Sequence, residues 1–231
     1  MNCSQLGRRA FLASGGALLA ACAAPRGVVD ATEIPAPQWR NGDKWVYRRV
    51  DFYTKLPAGT LTRTVVSSEA SRIRVVTRDE VGRQLFDDEY ESAGVKLSGT
   101  FSEDGAITGA VRPPFTLYAF PLRAGQRWHQ TLARTGSSGP SNYMTAASQA
   151  EGWESVRVGV QDYRALVIRR HVALGYRDAL IRDVYRMDLE WYAPAVRGAV
   201  MLDTYEQWIP RRRGPTNGGW FIYELESFTP A

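Results

Sequence analysis

The chain has 231 residues, two cysteines, two histidines and a formal charge of +5. That length is enough for one domain with a substantial core. Cys3 and Cys22 both lie near the start, so residues 23–231 hold no thiol for a disulfide, a thiolate metal site or a cysteine nucleophile. The basic excess is small, spread along the chain and almost all arginine, Lys44, Lys55 and Lys96 being the lysines, which gives no footing for nucleic-acid binding.

The first 22 residues read as an address. Arg8 and Arg9 are the charges of the segment, and an apolar, Ala- and Gly-rich run follows from Phe11 to Ala21. A basic start, a short apolar stretch and small residues before a cut describe a secretory signal. The run is too short for a permanent membrane span, which needs about 20 apolar residues. Arg8-Arg9-Ala10-Phe11-Leu12 resembles the twin-arginine export motif, with Gly7 before the pair and Ala13 where Lys is usual. Leu19-Ala20-Ala21-Cys22 resembles the bacterial lipobox, in which the thiol receives diacylglycerol and the chain is cut between Ala21 and Cys22. The other reading is a soluble periplasmic protein cut nearby. Ala23, rather than Asp, follows the cysteine, which points to the outer membrane. Cleavage removes Arg8 and Arg9 and leaves 27 basic against 24 acidic residues.

Residues 22–38 then form a lipidated cysteine and a tether containing Pro25, Pro35 and Pro37, without periodicity. A single domain is expected over 39–231. Its dominant period is two, the signature of strands. Residues 44–53 set Trp45 and Tyr47 opposite Val46 and Val50. Runs at 61–66, 72–77, 84–90 and 95–101 are separated by turn signals at 56–59, 80–82 and 103–105, and Asn217-Gly218-Gly219 is a further turn signal. Residues 163–172 place Leu166, Ile168 and Val172 on one face. Residues 181–192 place Tyr185, Met187, Leu189 and Trp191 on one face and Val184, Arg186, Asp188 and Glu190 on the other. Strands at 200–208 and 220–228 complete the set. No stretch of a dozen residues shows helical spacing, and residues 145–156 read as strand or loop. The fold class is therefore all-β, one antiparallel sheet, with few or no helices.

Arg40-Asn41-Gly42-Asp43-Lys44-Trp45 and Arg123-Ala124-Gly125-Gln126-Arg127-Trp128 share a pattern in which Gly turns the chain into a strand opened by a large apolar anchor. A duplication and independent turn chemistry both account for it. Together with Val158-Gly159-Val160-Gln161-Asp162-Tyr163 and Trp191-Tyr192-Ala193-Pro194-Ala195-Val196-Arg197-Gly198, the second motif resembles, over residues 115–208, the DUF3108-like envelope proteins. Gln161-Asp162 and the inserted Arg197 depart from that pattern. The resemblance implies a periplasm-facing antiparallel sheet curved into a half-barrel or open barrel, like the lipoprotein carriers, and no catalytic residues. Trp128, Trp191, Tyr192, Pro194 and Gly198 are the structural motif residues it singles out. Pro194 cannot donate to a ladder, so a strand ends there, and Gly198 starts the return.

Chemistry is harder to find. His129 and His171 lack any metal-ligand spacing, no G-x-S-x-G elbow is present, and the Ser137-Ser138 pair sits in a Gly-rich loop. Asp87, Glu89 and Glu91 share one strand face, as do Asp188 and Glu190. Such sets could hold a cation or act as a glycosidase pair, but with arginines nearby they read as the solvated face of a sheet. Arg211-Arg212-Arg213 reads as an exposed loop. The tryptophans either line an apolar cavity or form the core. The sequence thus yields a non-catalytic envelope lipoprotein, held to the membrane by its lipid and binding an apolar ligand or an envelope component on a concave sheet. Assembly through protein contacts is the alternative, and a hydrolase the third reading. No cofactor or metal is expected.

Overall fold

A computed structural model describes residues 32–103, 105, 107–135, 142–175, 183–209 and 216–231. Arg8, Arg9, Phe11, Leu12, Ala21 and Cys22 lie outside these, as do residues 136–140 and 211–213. Twelve antiparallel strands follow in order: β1 (Lys44–Asp51), β2 (Pro57–Glu69), β3 (Arg72–Arg78), β4 (Gln84–Ser92), β5 (Val95–Thr100), β6 (Thr108–Thr116), β7 (Arg127–Thr135), β8 (Asn142–Val158), β9 (Gln161–Gly175), β10 (Asp183–Ala193), β11 (Gly198–Ile209) and β12 (Thr216–Thr229). Each pairs with its neighbour in sequence, and β1 pairs with β12, so the sheet closes into a barrel. The architecture is all-β and antiparallel as expected, and closure leaves no free edge. One turn of 3-10 helix, Pro194–Val196, interrupts the strands. Among the described residues no helix is long and apolar enough to cross a membrane.

Alternating residues of each strand face the interior. At the end where β1 begins and β12 finishes this produces a packed plug. Trp39 sits edge-on to Trp45 and Tyr90, and Trp45 stacks on Phe228 at 5.3 Å between centroids. The indole N–H groups of Trp45 and Trp39 donate to the carbonyls of Val196 (2.7 Å) and Arg197 (3.0 Å). The segment before β1 is held at the same end: Ile34 is buried and bridges Leu122.

The two R-x-G turns are alike in detail. Asp43 N–H donates to Arg40 O and Gln126 N–H to Arg123 O, and in each turn the fourth residue's side chain accepts from the first residue's N–H. Gly42 and Gly125 both take a positive φ (99° and 82°) that the turn requires. They open β1 and β7, the first strands of two six-strand halves. Residues 217–219, read as a turn, instead lie within β12, where the pairing with β11 shifts between Glu206 and Gln207.

Pro113 and Pro114 in β6 lack the N–H that a ladder needs, and β6 pairs with β7 at only three positions. Side chains of β7 span the remainder. Gln130 accepts from Thr116 N–H at 2.8 Å and donates to the Thr116 hydroxyl at 2.8 Å, and Trp128 donates to Thr116 O at 3.1 Å.

Candidate functional site

A barrel of eight strands is just filled by its side chains, whereas one of sixteen encloses a channel. Twelve strands fall between, and here long polar side chains reach inward and still leave a cavity of about 220 Å³. A water needs roughly 10–15 Å³, so the space holds much more than a few. Its apolar wall includes Leu61, Phe101, Phe115, Leu117 and Val172; its polar wall is built from charged residues and tyrosines.

The polar wall corrects the reading of β10. Asp188 and Glu190 do not face solvent: they are 3% and 4% exposed and line the cavity, while Tyr185 and Met187 on the opposite face are 47% and 45% exposed. The register aligns Arg170 of β9, Asp188 of β10 and Thr204 of β11 in one row. Arg170 bridges Asp188 at 3.4 Å and Glu190 at 3.3 Å. Arg186 bridges Asp188 at 2.7 Å and Glu103 at 3.3 Å. Thr204 donates to Asp188 at 2.7 Å, Tyr118 to Glu190, and Tyr223 to Glu103. Across the cavity Lys96 pairs with Asp88 at 3.0 Å and donates to Thr100 O at 2.6 Å. Arg63 donates to the Tyr90 hydroxyl at 2.8 Å.

The electrostatics follow from burial set against partners. Burial alone would raise the Asp188 carboxyl, but Arg186 and Arg170 outweigh it and hold it below the usual carboxylate range. Burial pushes Glu103 up, since Arg186 and Tyr223 compensate only in part and Asp188 and Glu206 add to the rise. Burial lowers Lys96 in spite of Asp88. The Tyr118 and Tyr223 hydroxyls are pushed up by burial and by the carboxylates they touch.

Carboxylates therefore do meet in a cavity, as a glycosidase pair would. Each, however, is engaged by cations or hydroxyls of the protein itself, which is the arrangement of a structural network. Among the described residues no group of His, Cys, Asp and Glu is placed to hold a metal ion. His129 and His171 are exposed on the outer face, each opposite Ala147 of β8. No tryptophan lines the cavity. Trp39 and Trp45 are core, Trp191 lies outside with its N–H on Glu154 at 2.9 Å, and Trp220 stacks on Phe52 at 3.5 Å.

The motif residues Trp128, Trp191, Tyr192, Pro194 and Gly198 do not converge on the cavity. Trp128 is a strut on the β6–β7 seam. Tyr192 packs edge-on against Tyr118 and Phe120. Pro194 ends β10, and Gly198 opens β11. Arg197 takes a left-handed conformation (φ 55°) and bridges fully buried Asp43 at 3.0 Å. Asp43 also accepts the N–H of Ala231, so this pair ties the start of β1 and the C-terminal residue to the β10–β11 turn.

No protein-family model and no curated protein matches the chain. Three solved structures align with it at low identity. The hypothetical lipoprotein YmcC of Escherichia coli K12 matches at 10% identity and a TM-score of 0.42, over 84% of this chain and 89% of that one. A protein of Parabacteroides distasonis designated a lipoprotein matches at 13% and 0.48, over 87% and 100%. A protein of Bacteroides fragilis designated as exported, with a YmcC-like fold, matches at 14% and 0.45, over 86% and 99%. At these identities and scores no residue role or activity passes from them to this chain.

Proposed function

We propose that the protein is a bacterial envelope lipoprotein, lipidated on Cys22 after removal of residues 1–21, whose barrel receives a small ligand and performs no chemistry on it. The cavity carries the ligand reading, being a concave space within a rigid scaffold, lined by apolar surface and a few fixed polar groups. Its polar wall favours an amphipathic occupant over the wholly apolar one expected from the tryptophans. The lipobox residues Leu19-Ala20-Ala21-Cys22 support the anchor, Arg8-Arg9-Ala10-Phe11-Leu12 supports twin-arginine export, and Ala23 supports the outer membrane. Residues 22–38 serve as the lipidated tether, docked on the barrel through Ile34, and 39–231 as the single β domain. The order of the W and WYAP motifs supports kinship with the DUF3108-like envelope proteins.

Fractionation tests the anchor. Cys22→Ala moves the protein from the membrane to the soluble fraction, since several acyl chains hold where one barely does. A mutant that stays in the membrane, with no lipid on the wild type, contradicts it. Arg8→Lys with Arg9→Lys blocks export if the twin-arginine route is used, and unchanged export points to the general route. Native mass spectrometry of protein taken from envelopes tests the ligand reading. A reproducible small adduct supports it, and a bare chain mass in every preparation counts against it.

Assembly through protein contacts keeps one observation in its favour. Tyr185 and Met187 of β10 are exposed, and Tyr205 and Trp220 extend their outer face as an edge-on aromatic pair. Crosslinking from a photoreactive residue at Met187 tests it: one recurrent envelope partner supports this reading, and none removes it.

A further inference from the structure

We infer that the cavity is built for an amphipathic organic anion, whose acidic group sits on the Arg63 guanidinium and whose apolar body lies among Leu61, Phe101, Phe115 and Leu117. This rests on the reading of the cavity as a ligand site and adds the class of ligand.

Four cations line the space: Arg63, Lys96, Arg170 and Arg186. Three have carboxylate partners within the protein: Lys96 has Asp88, Arg170 has Asp188 and Glu190, and Arg186 has Asp188 and Glu103. Arg63 forms no ion pair among the described residues. A guanidinium carries five N–H donors and keeps its charge. One donor of Arg63 meets the Tyr90 hydroxyl. The rings of Trp39 and Tyr90, 5.6 and 5.8 Å from its central carbon, attract the charge through their faces. Rings do not supply the in-line oxygen acceptors that the remaining donors want.

Asp88, which lines the cavity two residues before Tyr90, is already taken. It accepts from Lys96, from Thr100 N–H at 2.9 Å and from the Tyr90 hydroxyl. Glu190 and Glu103 also face the cavity, and each is held by its own arginine and tyrosine. Arg63 is half-buried, and a charge partly withdrawn from water gains from a paired anion; the two oxygens of a carboxylate or phosphate match the guanidinium fork. The size and the apolar wall of the space exceed what a bare inorganic anion would use, which selects an acid with an apolar body.

The test is calorimetric titration of octanoate and, separately, of 1-octanol into the complete chain carrying Cys22→Ala, which dispenses with detergent. Octanoate is expected to bind at least about tenfold more tightly than octanol. Arg63→Gln should remove that advantage while leaving octanol within about twofold, and Arg63→Lys should retain most of it. Should Arg63→Gln fail to fold, the contrast between octanoate and octanol on the parent and on Arg63→Lys decides alone. Equal binding of the two compounds, or octanoate binding indifferent to Arg63→Gln, overturns the acid contact and leaves the cavity reading standing. No binding of either compound to folded protein overturns both.

Discussion

Strands β4 and β10 each set two carboxylates on one face, Asp87 with Glu89 and Asp188 with Glu190, and the barrel turns those two faces in opposite senses. Asp88, between the first pair, is the one that points inward. In β4, Asp87 and Glu89 point outward, where Arg74 meets Asp87 at 2.8 and 2.5 Å and Arg72 approaches Glu89 at 4.0 Å. In β10, Asp188 and Glu190 point inward to Arg170 and Arg186, and the apolar residues take the outside. The ionic chemistry is the same, and its weight differs because one set remains in water. Exposed pairs contribute little, since solvent screens them and side-chain entropy opposes them. Pairs sealed in a barrel have lost their hydration, so each partner depends on the other.

The largest effect should come from breaking the inner set. Arg170→Met leaves Glu190 with the Tyr118 hydroxyl and no cation among the described residues, and Asp188 with Arg186 and the Thr204 hydroxyl, and should cost about 3–5 kcal/mol in urea denaturation. A loss below about 1 kcal/mol would mean that the inner charges are hydrated after all.

Acid and base should then divide the inner set itself. Asp188 is held below its ordinary value of 3.8. Its contribution is therefore present above that pH and is lost as pH falls through the lower folded value. Glu103 lies above its ordinary 4.5, so the fold favours its neutral form more than the unfolded chain does. Its contribution is present below pH 4.5 and is lost as pH rises through the higher folded value. Urea midpoints taken between about pH 2 and 8 should show Asp188→Asn blunting the acid limb and Glu103→Gln blunting the decline on the other side. Parallel profiles for both variants and the parent would contradict the assignment.

The smallest effect belongs to the outer set. Arg74→Ala should move the urea midpoint far less than Arg170→Met does, and the difference should vanish in 1 M salt, where screening acts within about 3 Å. A larger, salt-insensitive cost would place Arg74 in the same class as Arg170.

The contrast also marks what the sequence could convey. Period two assigned Arg186, Asp188 and Glu190 to one face and Tyr185, Met187, Leu189 and Trp191 to the other, correctly. It could not say which face turned inward, because alternation is symmetric about the sheet. The usual rule for antiparallel sheets puts polar residues outside, and it fails here because twelve strands enclose more space than apolar side chains fill. Strand β6 was missed for a local reason, since Pro113 and Pro114 break its pattern. Of the cavity, Arg63 and Lys96 gave little sign, each being one cation in a strand. A usable signal was nonetheless present: Lys96 is one of three lysines, set between Val95 and Leu97. The two R-x-G turns were fully visible, because a turn is local and its glycine, its side-chain acceptor and its tryptophan sit within six residues.

Whether the barrel interior is a binding site for an amphipathic anion is most directly decided by a crystal structure of the complete Cys22→Ala chain grown with octanoate. Density for the carboxylate on Arg63, with its chain running between Leu61 and Phe115, is the predicted result. Octanoate held only on the outer face, or a cavity containing ordered water alone, would contradict it.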